Sequence, residues 1–210
     1  MLIKNIFRIV ASYKFALIKI IFFEIVCIFN LYKGNSFSFS NNNVMADNIP
    51  CPYYFLLKIK KVLKKYDFDT LVDLGCGSGR AIDFFDKNFP KKKFIGIEYF
   101  KNQYERCVKK FKKKNNILIK QEDFTKYDFI QYNANCYFFN NPFKNDKDVI
   151  PIIKHIKKNQ IKEGNILFIF INFNKDTFEE LKDLKKIEKY YINKDKGFSL
   201  YLLDLDKKNE

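Results

Sequence analysis

The chain has 210 residues, enough for one domain with a full core and too few for a second catalytic domain. Its formal charge of +15 would ordinarily point to nucleic acid or an anionic surface, but 36 of the 39 basic residues are lysine. Only Arg8, Arg80 and Arg106 offer a guanidinium, so charge alone assigns no such partner. The five cysteines, Cys27, Cys51, Cys76, Cys107 and Cys136, are odd in number and contain no Cys-x-x-Cys pair, which excludes a disulfide framework and a zinc site and predicts a reducing cytoplasmic setting.

Residues 2–31 are apolar and read as a helix interrupted by Lys4, Arg8, Lys14, Lys19 and Glu24. A membrane span needs about 20 apolar residues and does not tolerate such charges in its interior. A signal peptide is excluded by the lysines that break the apolar run. The helix is expected to pack on the domain, with peripheral contact at a membrane surface as the alternative. Residues 30–48 form a polar connector, so the chain divides at 1–49, helix and connector, and 50–210, the main domain.

Pro50 and Pro52 introduce a helix over 53–65, with Phe55, Leu56, Ile59, Val62 and Leu63 at helical spacing. The apolar run Leu71-Val72-Asp73-Leu74 then enters Gly75-Cys76-Gly77-Ser78-Gly79-Arg80. Glycines at every second position allow a sharp turn off a strand and close approach of the backbone to a ligand. Arg80 stands where the dinucleotide fingerprint requires its third glycine, which weakens a nicotinamide or flavin reading. A helix over 80–88 follows, then the strand Phe94-Ile95-Gly96-Ile97-Glu98, a helix over 100–114 and a strand over 116–120. Strands at 135–139 and 166–171 flank a helix over 146–160; a helix near 176–185 and strands at 187–192 and 198–204 complete the chain. Such alternation predicts an α/β fold with a parallel sheet. His155, the single histidine, falls on a helix and reads as a surface or half-buried residue. Cys76 reads as a small loop residue with no histidine beside it.

The loop after the first strand resembles the first motif of class I S-adenosylmethionine (SAM)-dependent methyltransferases. Asp73 matches its acidic residue and Gly75, Gly77 and Gly79 its glycines. Glu98, 25 positions after Asp73, matches the carboxylate that receives the ribose hydroxyls at the second strand's end, with Tyr99 beside it. Ile117-Leu118-Ile119-Lys120-Gln121-Glu122-Asp123-Phe124 is similar to the adenine-binding segment. The resemblance implies a Rossmann-like seven-stranded sheet with helices on both faces, an extra N-terminal helix and a closing antiparallel hairpin. It also implies SAM as cofactor, held by Asp73, Gly75, Cys76, Gly77, Gly79, Glu98, Tyr99, Asp123 and Phe124, with no metal.

At the end of the fourth strand, Phe139-Asn140-Asn141-Pro142-Phe143 resembles the Asn-Pro-Pro-Tyr/Phe motif of methyltransferases acting on amide or amino nitrogens, with Asn141 replacing a proline. That motif implies that Asn140 and the Asn141 carbonyl accept hydrogen bonds from the target nitrogen, and that Pro142 and Phe143 shape the site. Small bacterial methyltransferases with a Pro-x-Pro-Tyr lead-in and a Phe-Asn-Pro-Phe segment are similar over nearly the whole chain. The expected activity is methyl transfer to a nitrogen of a protein side chain, nucleobase or small amine. The alternatives are O-methylation of a glycan or small molecule, or a SAM-binding protein without catalysis.

Overall fold

In the computed structural model, residues 16–29, 49–159, 164–174, 176–178, 181, 183–192 and 196–204 are described. Helix α1 spans Ala16–Phe29 and α2 Tyr53–Leu63. Then come β1 (Thr70–Leu74), α3 (Arg80–Asn88), β2 (Lys93–Glu98), α4 (Lys101–Phe111) and β3 (Ile117–Gln121). Short 3₁₀ turns lead to β4 (Cys136–Asn140), α5 (Val149–Asn159), β5 (Asn165–Ile171), β6 (Lys185–Tyr191) and β7 (Gly197–Asp204).

The strands form one sheet in the order β3-β2-β1-β4-β5-β7-β6. β1 to β5 run parallel, β7 lies antiparallel to β5, and β6 lies antiparallel to β7. The central strands are apolar throughout because both their faces are covered, and alternate residues serve opposite layers. Leu71 and Phe138 face a core shared with Tyr53, Phe55, Phe84 and Phe111 of α2 to α4. Val72 and Tyr137 face the other, shared with Phe129, Ile153, Phe168 and Phe170. Each such side chain, taken out of water, contributes about 1.5–3 kcal/mol. The strand order reverses between β1 and β4, and in open α/β sheets a ligand crevice forms at that reversal, beyond the strands' carboxyl ends.

Helix α1 turns Ile20 and Cys27 toward α2, and Phe23 meets Tyr54 with ring centroids 5.5 Å apart. Its other side leaves Ile18, Ile21, Phe22 and Ile25 exposed. No helix among the described residues is long and apolar enough to cross a membrane. The rest of the expected 2–31 helix, and the 30–48 connector, lie outside the described residues.

One expectation changes. Residues 176–178 form a turn and Lys185 already begins β6, while 179, 180 and 182 lie outside the described residues, so the described part of 176–185 is not helical. Pairing of Lys185 with Leu202 and Lys186 with Tyr201 draws the segment's end into the sheet, and tertiary pairing overrides its local helical pattern.

Candidate cofactor and active site

The glycine loop leaves β1 over the end of β2, where the Gly75 and Cys76 N–H groups both donate to Ile97 O, at 2.9 and 3.0 Å. Gly75, Gly77 and Gly79 all have positive φ. At Gly79 the requirement is doubled, since a Cβ there would stand 2.5 Å from the Phe111 ring and 2.7 Å from Cys107 Sγ. Close packing of the loop on α4 therefore admits no side chain. A Cβ on Gly75 would touch Pro142 at 3.4 Å and Phe124 at 3.9 Å, so the first, third and fourth strand ends converge on this turn.

Asp73 and Glu98 are both buried beneath the loop. Glu98 Oε2 accepts from Gly77 N–H at 2.7 Å and Oε1 from Phe100 N–H at 2.8 Å. Burial still raises its pKa, against the opposing effect of those backbone donors. Asp73 has no such relief at Oδ1, which is buried without a hydrogen-bond partner. Desolvation first, and the neighbouring Glu98 charge second, push its carboxyl up to about 8. An orphaned carboxylate oxygen beside an open pocket fits a cationic ligand group, and SAM carries both an ammonium and a sulfonium.

That pocket, about 310 Å³, is lined by Pro50, Cys51, Asp73, Gly75, Cys76, Ser78, Arg80, Ala81, Phe138 and Asn140. It joins the glycine loop to the start of the predicted acceptor motif. Asn140 Nδ2 donates to Ile49 O at 2.7 Å, and this fixes the amide's orientation, because a carbonyl can only face the nitrogen. Asn141 follows with φ 46°, in the left-handed region that asparagine tolerates. Phe143 is placed elsewhere: it is 2% exposed and packs edge-on against Phe124 at 5.4 Å, supporting the turn from within the core.

The adenine-side residues lie at the ends of β2 and β3. Tyr99 is exposed, with Phe100 edge-on to it at 5.3 Å. Asp123 Oδ1 accepts from the Thr125 N–H and hydroxyl at 3.0 and 2.6 Å, which shapes the turn that carries Phe124. Cys76 Sγ lies 4.0 Å from Cys107 Sγ. Their contact and burial raise the Cys76 pKa well above the usual thiol range, so Cys76 is no nucleophile. His155 stacks on Tyr127 at 4.1 Å and does not line the pocket. Among the described residues no cluster of three or more His, Cys, Asp or Glu is arranged to hold a metal ion.

Sequence reasoning missed the seam that closes this pocket on the N-terminal side. Arg80 donates to Glu24 Oε2 of α1 at 2.8 Å and to Cys51 O at 3.4 Å, and its guanidinium lies 4.6 Å from the Tyr53 ring centroid. Glu24 Oε1 also accepts from Tyr53 N–H at 2.8 Å. A carboxylate embedded in an apolar helix and an arginine directly after the glycines were the available signals.

A family model described as "Methyltransferase domain" matches residues 71–164. No curated protein matches the chain by sequence. Among solved structures, an RNA methyltransferase from Salinibacter ruber in complex with S-adenosyl-L-homocysteine (SAH) is similar at 16% identity and TM-score 0.54, covering 77% of this chain and 97% of that one. Fibrillarin from Aeropyrum pernix, with natively bound SAM, aligns at 12% identity and TM-score 0.54 over 81% of this chain and 83% of its own. A plantazolicin methyltransferase aligns at 12% identity and TM-score 0.51, covering 72% of this chain and 80% of that one. These likenesses carry the fold, while the family model spans the glycine loop and both buried carboxylates. The chain belongs to the class I SAM-dependent methyltransferases.

Proposed function

We propose that the protein transfers the methyl group of SAM to a nitrogen acceptor at the carboxyl end of β4. The observation that carries this reading is the commitment of Asn140 Nδ2 to Ile49 O, which leaves Asn140 Oδ1 as the group available to a donor at the pocket. A nitrogen bearing hydrogens can donate to that oxygen and to the Asn141 carbonyl. It becomes more acidic as it attacks, so both bonds strengthen toward the transition state. No imidazole lines the pocket, which disfavours a hydroxyl acceptor that depends on a histidine base.

When bound, SAM supplies an electrophilic methyl group, and the chain's task is to orient the acceptor against it. Such positioning can be worth up to about 7–11 kcal/mol. In this reading Asp73 Oδ1 receives the ammonium of the cofactor, and Glu98 uses its remaining lone pairs for ribose hydroxyls. Tyr99, Asp123 and Phe124 border the adenine, and Pro142 and Phe143 hold the acceptor turn against Gly75.

The test is to incubate the protein with methyl-labelled SAM and fractionated lysate, identify the labelled product, and repeat with Asn140→Ala. An N-methyl product and a turnover loss much larger than the loss of SAM affinity are expected. An O-methyl product, or full turnover by Asn140→Ala, defeats the reading.

A further inference from the structure

The glycine loop is followed at once by a buried cation. Arg80 opens α3, and its side chain is 7% exposed. A positive charge at a helix N-terminus opposes the helix dipole, and a buried guanidinium needs an anionic partner. Two carboxylates lie within its surroundings. Asp73 shares the pocket wall with Arg80, whereas Glu24 reaches in from α1. The ion pair forms with Glu24, and Asp73 Oδ1 is left without a hydrogen bond.

We propose that Glu24 is a positioning residue for cofactor binding, which holds the Arg80 guanidinium against α1 and so keeps Asp73 open to the ammonium of SAM. The inference rests on the assignment of Asp73 to that ammonium. Glu24 is suited to the task because its other oxygen is fixed by Tyr53 N–H, so the carboxylate is anchored by α2 as well as by its own helix. Arg80 is further steadied by Cys51 O and the Tyr53 ring, and all three contacts draw the guanidinium toward the N-terminal seam. Without the Glu24 charge, Asp73 is the anionic group left on the pocket wall, and pairing there would occupy the oxygen the ammonium needs. Cofactor affinity thus depends on a side chain that touches no part of the cofactor.

Calorimetry with two ligands separates this role from general support of the fold. SAH carries the ammonium, whereas 5′-methylthioadenosine shares its nucleoside and thioether and has none. Glu24→Gln should weaken SAH binding by about tenfold or more, the scale of one hydrogen bond to a charged group, and leave methylthioadenosine within about twofold. Adding Arg80→Met should restore SAH to within about threefold of the unaltered protein, since the competing cation is gone. Equal loss of both ligands in Glu24→Gln, or no recovery in the double variant, overturns the proposal. Should Glu24→Gln fail to melt cooperatively, Arg80→Met alone decides: SAH affinity within about threefold supports competition, and a loss of about tenfold refutes it. Asp73→Asn tests the underlying assignment. A selective loss of SAH there alongside unselective behaviour of Glu24→Gln sinks the Glu24 role alone, whereas no selective loss in Asp73→Asn removes the ammonium site and the inference with it.

Discussion

The carboxyl ends of β1 and β2 each bury one carboxylate under the same loop, yet the two are built for different states of the protein. Glu98 is satisfied before any ligand arrives, with one backbone N–H on each oxygen, and it holds Gly77 and Phe100 in place. Asp73 is left incomplete, and its raised pKa reflects that. One acid maintains the shape of the crevice, and the other withholds stability until a cation enters it.

The largest expected effect follows from breaking the satisfied side. Glu98→Ala orphans two backbone donors at about 1–3 kcal/mol each and removes the proposed ribose contact. Denaturant melts should show the loss of stability. Calorimetry should show SAM affinity down by roughly 10–150-fold, and unchanged affinity would remove Glu98 from the cofactor site.

Asp73→Asn should act in the opposite direction on the cofactor-free protein. The folded carboxyl titrates near 8 and the ordinary value is 3.8, so between these pH values the folded state keeps a proton that the unfolded state has released. Stability from this group is present below the lower value, falls as pH rises through the window, and is lost above about pH 8. Asparagine has no such slope. The stability difference in favour of Asp73→Asn should therefore widen from pH 5 to pH 8.5, by on the order of a few kcal/mol, in denaturant titrations. A gap that stays constant with pH would show that Asp73 is not the strained member of the pair.

Gly75→Ala asks whether the backbone or Glu98 sets the loop's shape. With φ at +85° and Pro142 at 3.4 Å, the added methyl should cost about 1–2 kcal/mol and weaken SAM binding. Unaltered stability and affinity would mean that the loop readjusts around Glu98. The smallest effect is expected away from both acids. Lys87→Ala breaks an ion pair with Asp83 one helical turn away, and should change stability by less than about 0.5 kcal/mol with no effect on cofactor affinity.

The spacing of Asp73, the glycines and Glu98 was legible because strand ends and turns are local and demand particular residue types. The parallel sheet and its closing hairpin were legible through alternation of apolar runs. What was not legible lies at long separation. Glu24 meets Arg80 across 56 positions, and Ile49 O meets Asn140 across 91, so no local pattern marks either. The burial of Phe143 was hidden for a similar reason: its orientation depends on Phe124, which belongs to a different strand end. The segment before β6 misled because Leu181 and Leu184 are both buried, a spacing that suits a helix as well as an irregular chain laid over the core.

Strand β6 ends the sheet with Lys185, Lys186, Glu188 and Lys189 all exposed along a single edge. An outermost strand offers free backbone groups to any extended chain, and repeated lysines oppose such recruitment by mutual repulsion between copies. The sheet is thereby guarded against growing from one molecule into the next. Neutralising those lysines should lower the concentration at which the protein begins to aggregate, although no side chain near the cofactor has changed.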